Sequence, residues 1–172
     1  MSSALGATQA PPVADSLILK GEKKMSLITT IEIIKKELYP ESVVLLKVGT
    51  FYHAYFKDAI LLSYLFGYKL KKLEKNVSNC GFPAVVLNNV KYLLEQKKIN
   101  YLIIDRAHNY EEDEKEDFKG ENSYMECYEK ANRYILLKER VDRINDFLIE
   151  HINEESINNV LDRMECVIYE KG

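Results

Sequence analysis

The apolar run Val43–Val48, which contains one charged residue, Lys47, constrains the fold of this chain more than any other sequence feature. Its length and its β-branched residues predict a buried strand, and Gly49 ends that strand. Three aromatic residues follow within five positions: Phe51, Tyr52 and Tyr55. The pattern predicts that these rings lie where the strand gives way to a helix.

The segments around this strand alternate between helical and extended patterns. Apolar spacing predicts three helices, from Ser26 to Pro40, from about Ala54 to Phe66 with Gly67 as its cap, and from Val86 to Lys97. Alternation predicts a strand over Tyr68–Leu73, and a short, wholly apolar run predicts another over Tyr101–Ile104. The polar residues 74–79 indicate a loop, and Cys80-Gly81-Phe82-Pro83 indicates a turn-rich junction. The fold class is therefore α+β (mixed α/β), a small mixed sheet flanked by helices.

The second half of the chain has a different organisation. Tyr110–Phe118 is a charge run without apolar period, which predicts a solvated linker. Apolar stripes then predict a long helix from Ser123 to His151 and another from Asn153, forming a C-terminal αα-hairpin. We therefore predict four segments: a flexible leader (1–24), a domain (25–106), an acidic linker (107–121) and a helical hairpin (122–172).

Charge separates the two halves. Residues 25–106 hold 12 Lys and Arg against 7 Asp and Glu, whereas residues 107–172 hold 9 against 18. The overall net charge of −3 hides this difference. A nucleic-acid duplex would be attracted to the first half and repelled by the second.

Several classes of protein receive no support from the sequence. The three cysteines, Cys80, Cys127 and Cys166, are scattered, which predicts a reducing, cytoplasmic setting without a disulfide framework. The three histidines are isolated and no phosphate-binding glycine loop occurs, so we expect no metal and no cofactor. No apolar run is long enough to span a bilayer, and we expect no membrane partner.

The aromatic cluster and its lysines form the candidate binding site. Lys47 and Lys57 flank the rings, and four more lysines follow: Lys69, Lys71, Lys72 and Lys75. Aromatic faces among cations can stack on a nucleic-acid base while the lysines hold phosphates, with DNA and RNA both open. The same pattern also fits a buried Phe51 at a strand end and lysines that protect an edge strand.

Residues 25–106 resemble the amino-terminal mismatch-recognition domain of MutS proteins. The resemblance depends on an ordered series of motifs: Tyr39-Pro40-Glu41, Gly49-x-Phe51-Tyr52, Phe56-x-Asp58-Ala59, Leu65-x-Gly67-x-x-Leu70, Cys80-Gly81-x-Pro83 and Glu95-Gln96. It implies an α/β architecture and a phenylalanine, here Phe51, that wedges into the minor groove at a mispaired base. The family glutamate two residues further on is His53 in this chain, and Thr50 replaces the usual aspartate.

His53 therefore changes what the resemblance implies. A histidine can contact a base or a phosphate from either ring nitrogen, or it can be an ordinary surface residue. Loss of the carboxylate removes a negative charge from a DNA-facing position and also a specific partner for a base. The resemblance thus implies DNA contact more strongly than mismatch discrimination.

Together these features predict a non-catalytic module that binds double-stranded DNA, mispaired or deformable duplexes included. The helical hairpin, residues 122–172, has too small a core alone, which predicts self-association or docking of a protein partner. The rival interpretation is a protein-interaction module that reuses the same fold without binding nucleic acid. A third interpretation, a nuclease, has little support, because the sequence contains no grouping of carboxylates or histidines that could form its catalytic site.

Overall fold

The structure is a computed structural model that describes residues 26–73 and 77–170. The predicted leader, residues 1–24, lies outside the described residues. The chain divides into two compact units after Asn132, which lies within a long helix. The first unit contains the sheet, and the described residues of the second contain only helical structure.

A six-stranded mixed sheet forms the centre of the first unit. Its strands are β1 (Val43–Val48), β2 (Phe51–Tyr55), β3 (Lys71–Lys72), β4 (Ser78–Pro83), β5 (Tyr101–Asp105) and β6 (Glu111–Glu116). Their spatial order is β3-β4-β2-β1-β5-β6. Strands β1 and β5 are parallel and every other neighbouring pair is antiparallel, so the predicted mixed sheet and fold class are confirmed.

The described residues of both units also form helices. They are α1 (Leu27–Ile33), continued by a π-helical turn (Ile34–Leu38), α2 (Phe56–Phe66), α3 (Leu87–Gln96), α4 (Tyr124–Glu150) and α5 (Ser156–Tyr169). Gly67 ends α2 in the left-handed conformation, as predicted. Helices α4 and α5 match the two predicted C-terminal helices, whereas their pairing as a hairpin stays a prediction.

Two apolar clusters hold the sheet, one on each face. On the core face, α2 and α3 pack with Tyr124 against alternate residues of β1, β2, β4 and β5, Tyr52 and Phe82 among them. On the opposite face, Ile31 and Ile34 pack against Val44, Tyr55 and other alternate residues. The first four residues of β1 and of β5 are buried whichever face they project from, which explains why these stretches contain only apolar or aromatic residues.

Several predictions about local structure are wrong. Residues Phe51–Tyr55 form a strand, so the following helix begins at Phe56 instead of Ala54. Residues 78–83 form β4 where the end of a loop and a turn-rich junction were predicted, with Cys80 and Phe82 buried and Gly81 and Pro83 exposed. The predicted linker contains β6, which pairs with β5 at the edge of the sheet. The predicted strand Tyr68–Leu73 is reduced to Lys71–Lys72.

A buried ion pair connects the π-helical turn after α1 with α2, and hydrogen bonds to its carboxylate come from β1 and α4. Lys35 Nζ lies 2.7 Å from Asp58 Oδ1, and both side chains are almost fully buried. Asp58 also accepts hydrogen bonds from the Val44 amide at 2.9 Å and the Tyr124 hydroxyl at 2.6 Å. Lys35 Nζ donates to the Ser42 carbonyl and lies 4.1 Å from the centre of the Tyr124 ring. Burial lowers the pKa of Lys35, an effect that Asp58 opposes.

No described helix is both long and apolar enough to cross a membrane.

Candidate nucleic-acid interface

Strand β2 carries a row of three rings on one face of the sheet. Side chains alternate along a strand, so Phe51, His53 and Tyr55 project from the face opposite to Tyr52. The ring centres of Phe51 and His53 are 6.4 Å apart, as are those of His53 and Tyr55. We call these three residues the aromatic row and their side of the sheet the aromatic face. Exposure falls along the row, from 47% at Phe51 to 7% at Tyr55.

Phe51 lies at the tip of the β1–β2 hairpin. Gly49 has a φ of +60°, which turns the chain between the two strands. Phe51 is then paired with Val48 on one side and with Pro83 on the other. The Thr50 carbonyl accepts a hydrogen bond from the Ala84 amide at 2.9 Å, so neighbouring backbone holds this tip in place. The exposed ring of Phe51 is thus carried by a fixed backbone.

His53 packs directly on Gly81 of the neighbouring strand. A Cβ atom at Gly81 would stand 2.9 Å from His53 Nδ1, so the absence of a side chain there makes room for the imidazole. His53 Nδ1 is shielded from solvent and has no hydrogen-bond partner. Burial lowers the pKa of His53, and the charge of Lys71 lowers it further. Both effects favour the neutral imidazole over the charged one.

Two cations lie beside the aromatic row. The strand register places Lys71 opposite Asn79, which is opposite Tyr55, so Lys71 projects from the aromatic face. Arg106 is exposed and follows β5, where its amide donates to the Lys47 carbonyl at 3.2 Å. Burial raises the pKa of Tyr55, and the nearby charge of Arg106 opposes that rise. Sequence reasoning missed Arg106 because the strand that carries it is distant from Phe51 in the chain.

Lys47 is not brought together with Phe51. It pairs with Tyr52 and Asp105, and therefore lies on the core face of the sheet. Its Nζ is 3.3 Å from Asp105 Oδ2, and hydrogen bonding to this carboxylate raises the pKa of Lys47. Lys57 also lies away from the aromatic row, with its Nζ 5.0 Å from the centre of the Tyr128 ring.

Of the remaining predicted lysines, the structure describes Lys69, which precedes β3, and Lys72, which lies in β3. Lys69 and Lys72 are exposed, and Lys72 projects from the side of β3 opposite to Lys71. Lys75 lies outside the described residues. Of the predicted site residues, Phe51, His53 and Lys71 share the aromatic face.

The two edges of the sheet have opposite charge. Strand β3 consists of two lysines, and β6 at the other edge has the sequence EEDEKE. Some of the β6 charge is balanced locally, since Glu114 pairs with Lys91. A polyanion approaching the aromatic face would thus be attracted toward the β3 edge and repelled from the β6 edge.

Within residues 26–73 and 77–170, no group of three or more His, Cys, Asp or Glu side chains could hold a metal ion.

The mixed sheet, with an exposed ring at one strand end and cations beside it, defines a small α/β recognition domain. The family profile for MutS domain I matches residues 31–135, well over half of the chain. The chain belongs to the MutS domain I family, as its motifs predicted. This family is a DNA-binding recognition domain and not a catalytic one. No curated protein matches the chain.

The family match extends beyond the predicted limit at Arg106. It includes β6 and the beginning of α4, which the motif comparison had left out. The structure gives a reason, because β6 completes the sheet and Tyr124 of α4 is fully buried in its core.

Proposed function

We propose that this chain is a non-catalytic DNA-binding module that inserts Phe51 at mispaired or easily deformed steps of a duplex. The observation that carries the proposal is the exposure of Phe51, at 47%, on a hairpin tip. An aromatic wedge that separates stacked bases kinks the duplex, and the energy required is lowest where pairing is already weak. Membership in the MutS domain I family supports the same function.

The cations of the aromatic face supply the general attraction to DNA. Lys71 and Arg106 lie on either side of the aromatic row and would contact phosphates of the two strands. Phosphate contacts set affinity and its salt dependence without reading sequence. Selectivity for weak steps would come from Phe51 and its neighbours in the row.

The direct test is binding of the full chain to labelled duplexes with and without a single mismatch. Replacing Phe51 with Ala should weaken binding to mismatched duplex by about 1–3 kcal/mol, the range for one base–aromatic stack. Tyr92→Ala is a matched control, because Tyr92 is an aromatic residue of α3 with 63% exposure, away from β2. The wedge is excluded if Phe51→Ala binds like the unsubstituted chain.

Charge variants test the orientation of the duplex. Lys71→Met and Lys47→Met each remove one positive charge, from the aromatic face and the core face respectively. We expect Lys71→Met to reduce both the affinity and the slope of affinity against salt concentration, by about one phosphate contact. Equal effects of the two variants would argue against contact through the aromatic face.

A second function, protein interaction, is favoured by the helices of the second unit. Many large apolar side chains there are exposed: Leu136, Leu137, Val141, Ile144, Phe147, Ile149, Ile152, Val160, Val167 and Ile168. Exposed apolar surface of this kind marks interaction sites, so residues 122–172 would self-associate or dock a partner protein. Sedimentation of the full chain and of Val141→Glu with Ile144→Glu tests self-association. If the full chain is a monomer at all concentrations, self-association is excluded and docking of a partner protein is the remaining alternative.

A further inference from the structure

A stripe of apolar side chains runs along the second part of α4. Up to Asn132 this helix belongs to the first unit, where Tyr124 and Ala131 are fully buried. Over residues 133–150, in the second unit, none of its residues is buried. The stripe has five members, spaced alternately three and four positions apart, which we call the α4 stripe: Tyr134, Leu137, Val141, Ile144 and Leu148.

The spacing of the α4 stripe is that of a helix that packs along another helix. Residues three and four positions apart lie on one face, and their regular alternation is the heptad pattern of paired helices. Leu148 is half-buried, whereas the other four side chains are between 44% and 62% exposed. The described residues therefore leave most of this face open to water, and burying it against another helix would be favourable.

The charges of this part of α4 are divided along its length. Residues 133–140 contain three basic residues and one acidic residue, a net charge of +2, and residues 141–150 contain three acidic residues and one basic residue, a net charge of −2. Lys138 and Asp142 pair with each other at 3.2 Å, and the remaining charges are divided in the same way. In chain order the charged residues are Arg133, Lys138, Glu139, Arg140, Asp142, Arg143, Asp146 and Glu150.

This division of charge distinguishes the two ways in which two copies of α4 could pair. Val141 is the middle member of the α4 stripe, so an antiparallel pair centred on it places Tyr134 of one copy opposite Leu148 of the other. Residues 133–140 of each copy then lie beside residues 141–150 of the other, and opposite net charges meet. A parallel pair would place like charges side by side, which is unfavourable.

We propose that residues 133–150 of α4 form an antiparallel interface with the same residues of a second copy of this chain. The inference rests on the protein interaction proposed for the second unit and commits it to one partner and one orientation. Such a pair is symmetric, with the same surface used by both copies. Association does not have to fold the helix, because α4 has 27 residues and its first part is packed in the first unit.

Cysteine cross-linking tests the orientation. Tyr134→Cys and Leu148→Cys are made separately in a chain with Cys127→Ser and Cys166→Ser, which leaves only the buried Cys80. Positions 134 and 148 are about 21 Å apart along one helix, far beyond the reach of a disulfide. In an antiparallel dimer, the mixture of the two variants therefore forms a disulfide-linked dimer, and neither variant does so alone.

The opposite cross-linking pattern overturns the inference. In a parallel dimer each variant would link to itself, and peptide mass spectrometry of the mixture would show no bond between positions 134 and 148. That result would leave self-association of the second unit standing. It would also leave the Phe51 wedge untouched, since duplex binding is measured separately.

Charge reversal tests whether electrostatics select this arrangement. Arg133→Glu with Arg140→Glu makes both parts of the interface acidic, and we expect the dissociation constant of the dimer to rise roughly tenfold. Mixing this variant with one carrying Asp142→Lys and Asp146→Lys should restore association. A chain with Lys97→Glu and Lys119→Glu is the control, because it has the same change of net charge at exposed positions outside the second unit.

Sedimentation equilibrium of the full chain measures these dissociation constants. An unchanged constant for the Arg133 and Arg140 variant overturns the proposal, because a parallel pair would exchange one like-charge contact for another. Equal weakening by the control overturns it as well, since total charge and not the α4 interface would then be responsible. A monomer at all concentrations excludes both this inference and self-association, and leaves DNA binding by the first unit unaffected.

Discussion

His53 occupies the space that a side chain at Gly81 would need, with only 2.9 Å between Nδ1 and an added Cβ. Gly81 has an ordinary backbone conformation, so the requirement for glycine comes from the imidazole and not from the turn of the chain. Two residues 28 positions apart thus depend on each other through the pairing of β2 with β4.

This dependence predicts non-additive stability. Gly81→Ala should lower the free energy of unfolding by about 1–3 kcal/mol, the usual cost of overpacking a filled site. In a His53→Ala background the same substitution should be close to neutral, since the ring is gone. Urea unfolding of the four proteins measures the coupling, and additive effects would contradict the contact.

The buried pair of Lys35 and Asp58 predicts a large effect of removing one partner. Asp58→Asn leaves the Lys35 ammonium without its carboxylate inside the protein and should lower the free energy of unfolding by about 3–5 kcal/mol. The double variant with Lys35→Met should lose less, because no charge is left alone. Thermal unfolding provides the measurement.

Glu126→Gln is the control for this pair. It removes the carboxylate of an ion pair with Lys130, whose two side chains are 68% and 62% exposed. Its stability should be essentially unchanged, since exposed pairs are well screened by solvent. Comparable destabilisation by Asp58→Asn and Glu126→Gln would show that burial does not govern the strength of the Lys35 pair.

The pKa of His53 should reflect the packing of its ring on Gly81. Burial and the charge of Lys71 lower its pKa below the ordinary value of about 6.5, and Lys71→Met should raise it. As the pH falls below 6.5, the unfolded chain binds the proton first, so the free energy of unfolding falls there. This contribution to the acid dependence should vanish in His53→Phe. A ring that titrates at or above its ordinary value by NMR would contradict the packing on Gly81.

The three thiols should differ in reactivity. Cys166 is exposed, Cys127 is half-buried and Cys80 is buried in the core. Burial raises the pKa of Cys80 to about 12, so little thiolate forms at neutral pH. Labelling followed by peptide mass spectrometry should modify Cys166 first and Cys80 only through opening of the sheet. Equal rates for Cys80 and Cys166 would contradict the position of β4.

Much of the fold could be predicted because the central strands β1 and β5 each begin with four consecutive apolar or aromatic residues. Strand β1 has the predicted limits, Val43–Val48, and β5 differs from its prediction by one residue. The strands that were missed have weak patterns of their own: β4 contains Gly81 and Pro83, and every residue of β6 is charged. These strands form because a neighbouring strand offers hydrogen bonds, which local periodicity does not report.

The residues of the candidate site were likewise predicted only in part. The sequence identified Phe51, His53 and Lys71, but it also placed Lys47 among them and missed Arg106. Along a strand, a shift of one residue moves a side chain to the other face, so Lys47 lies with Asp105 on the core face. The role of Lys35 was also missed, since a lysine in a helical pattern is ordinarily solvent-exposed.

The sequence by itself determined the buried strands, the positions of most helices and membership in the MutS domain I family. These features depend on residue type and spacing within short segments, which carry their own signal. The tertiary structure decided which side chains share the aromatic face, which cations accompany Phe51 and which way the ring of His53 is held. Those outcomes depend on strand pairing between distant segments, and no local pattern specifies them.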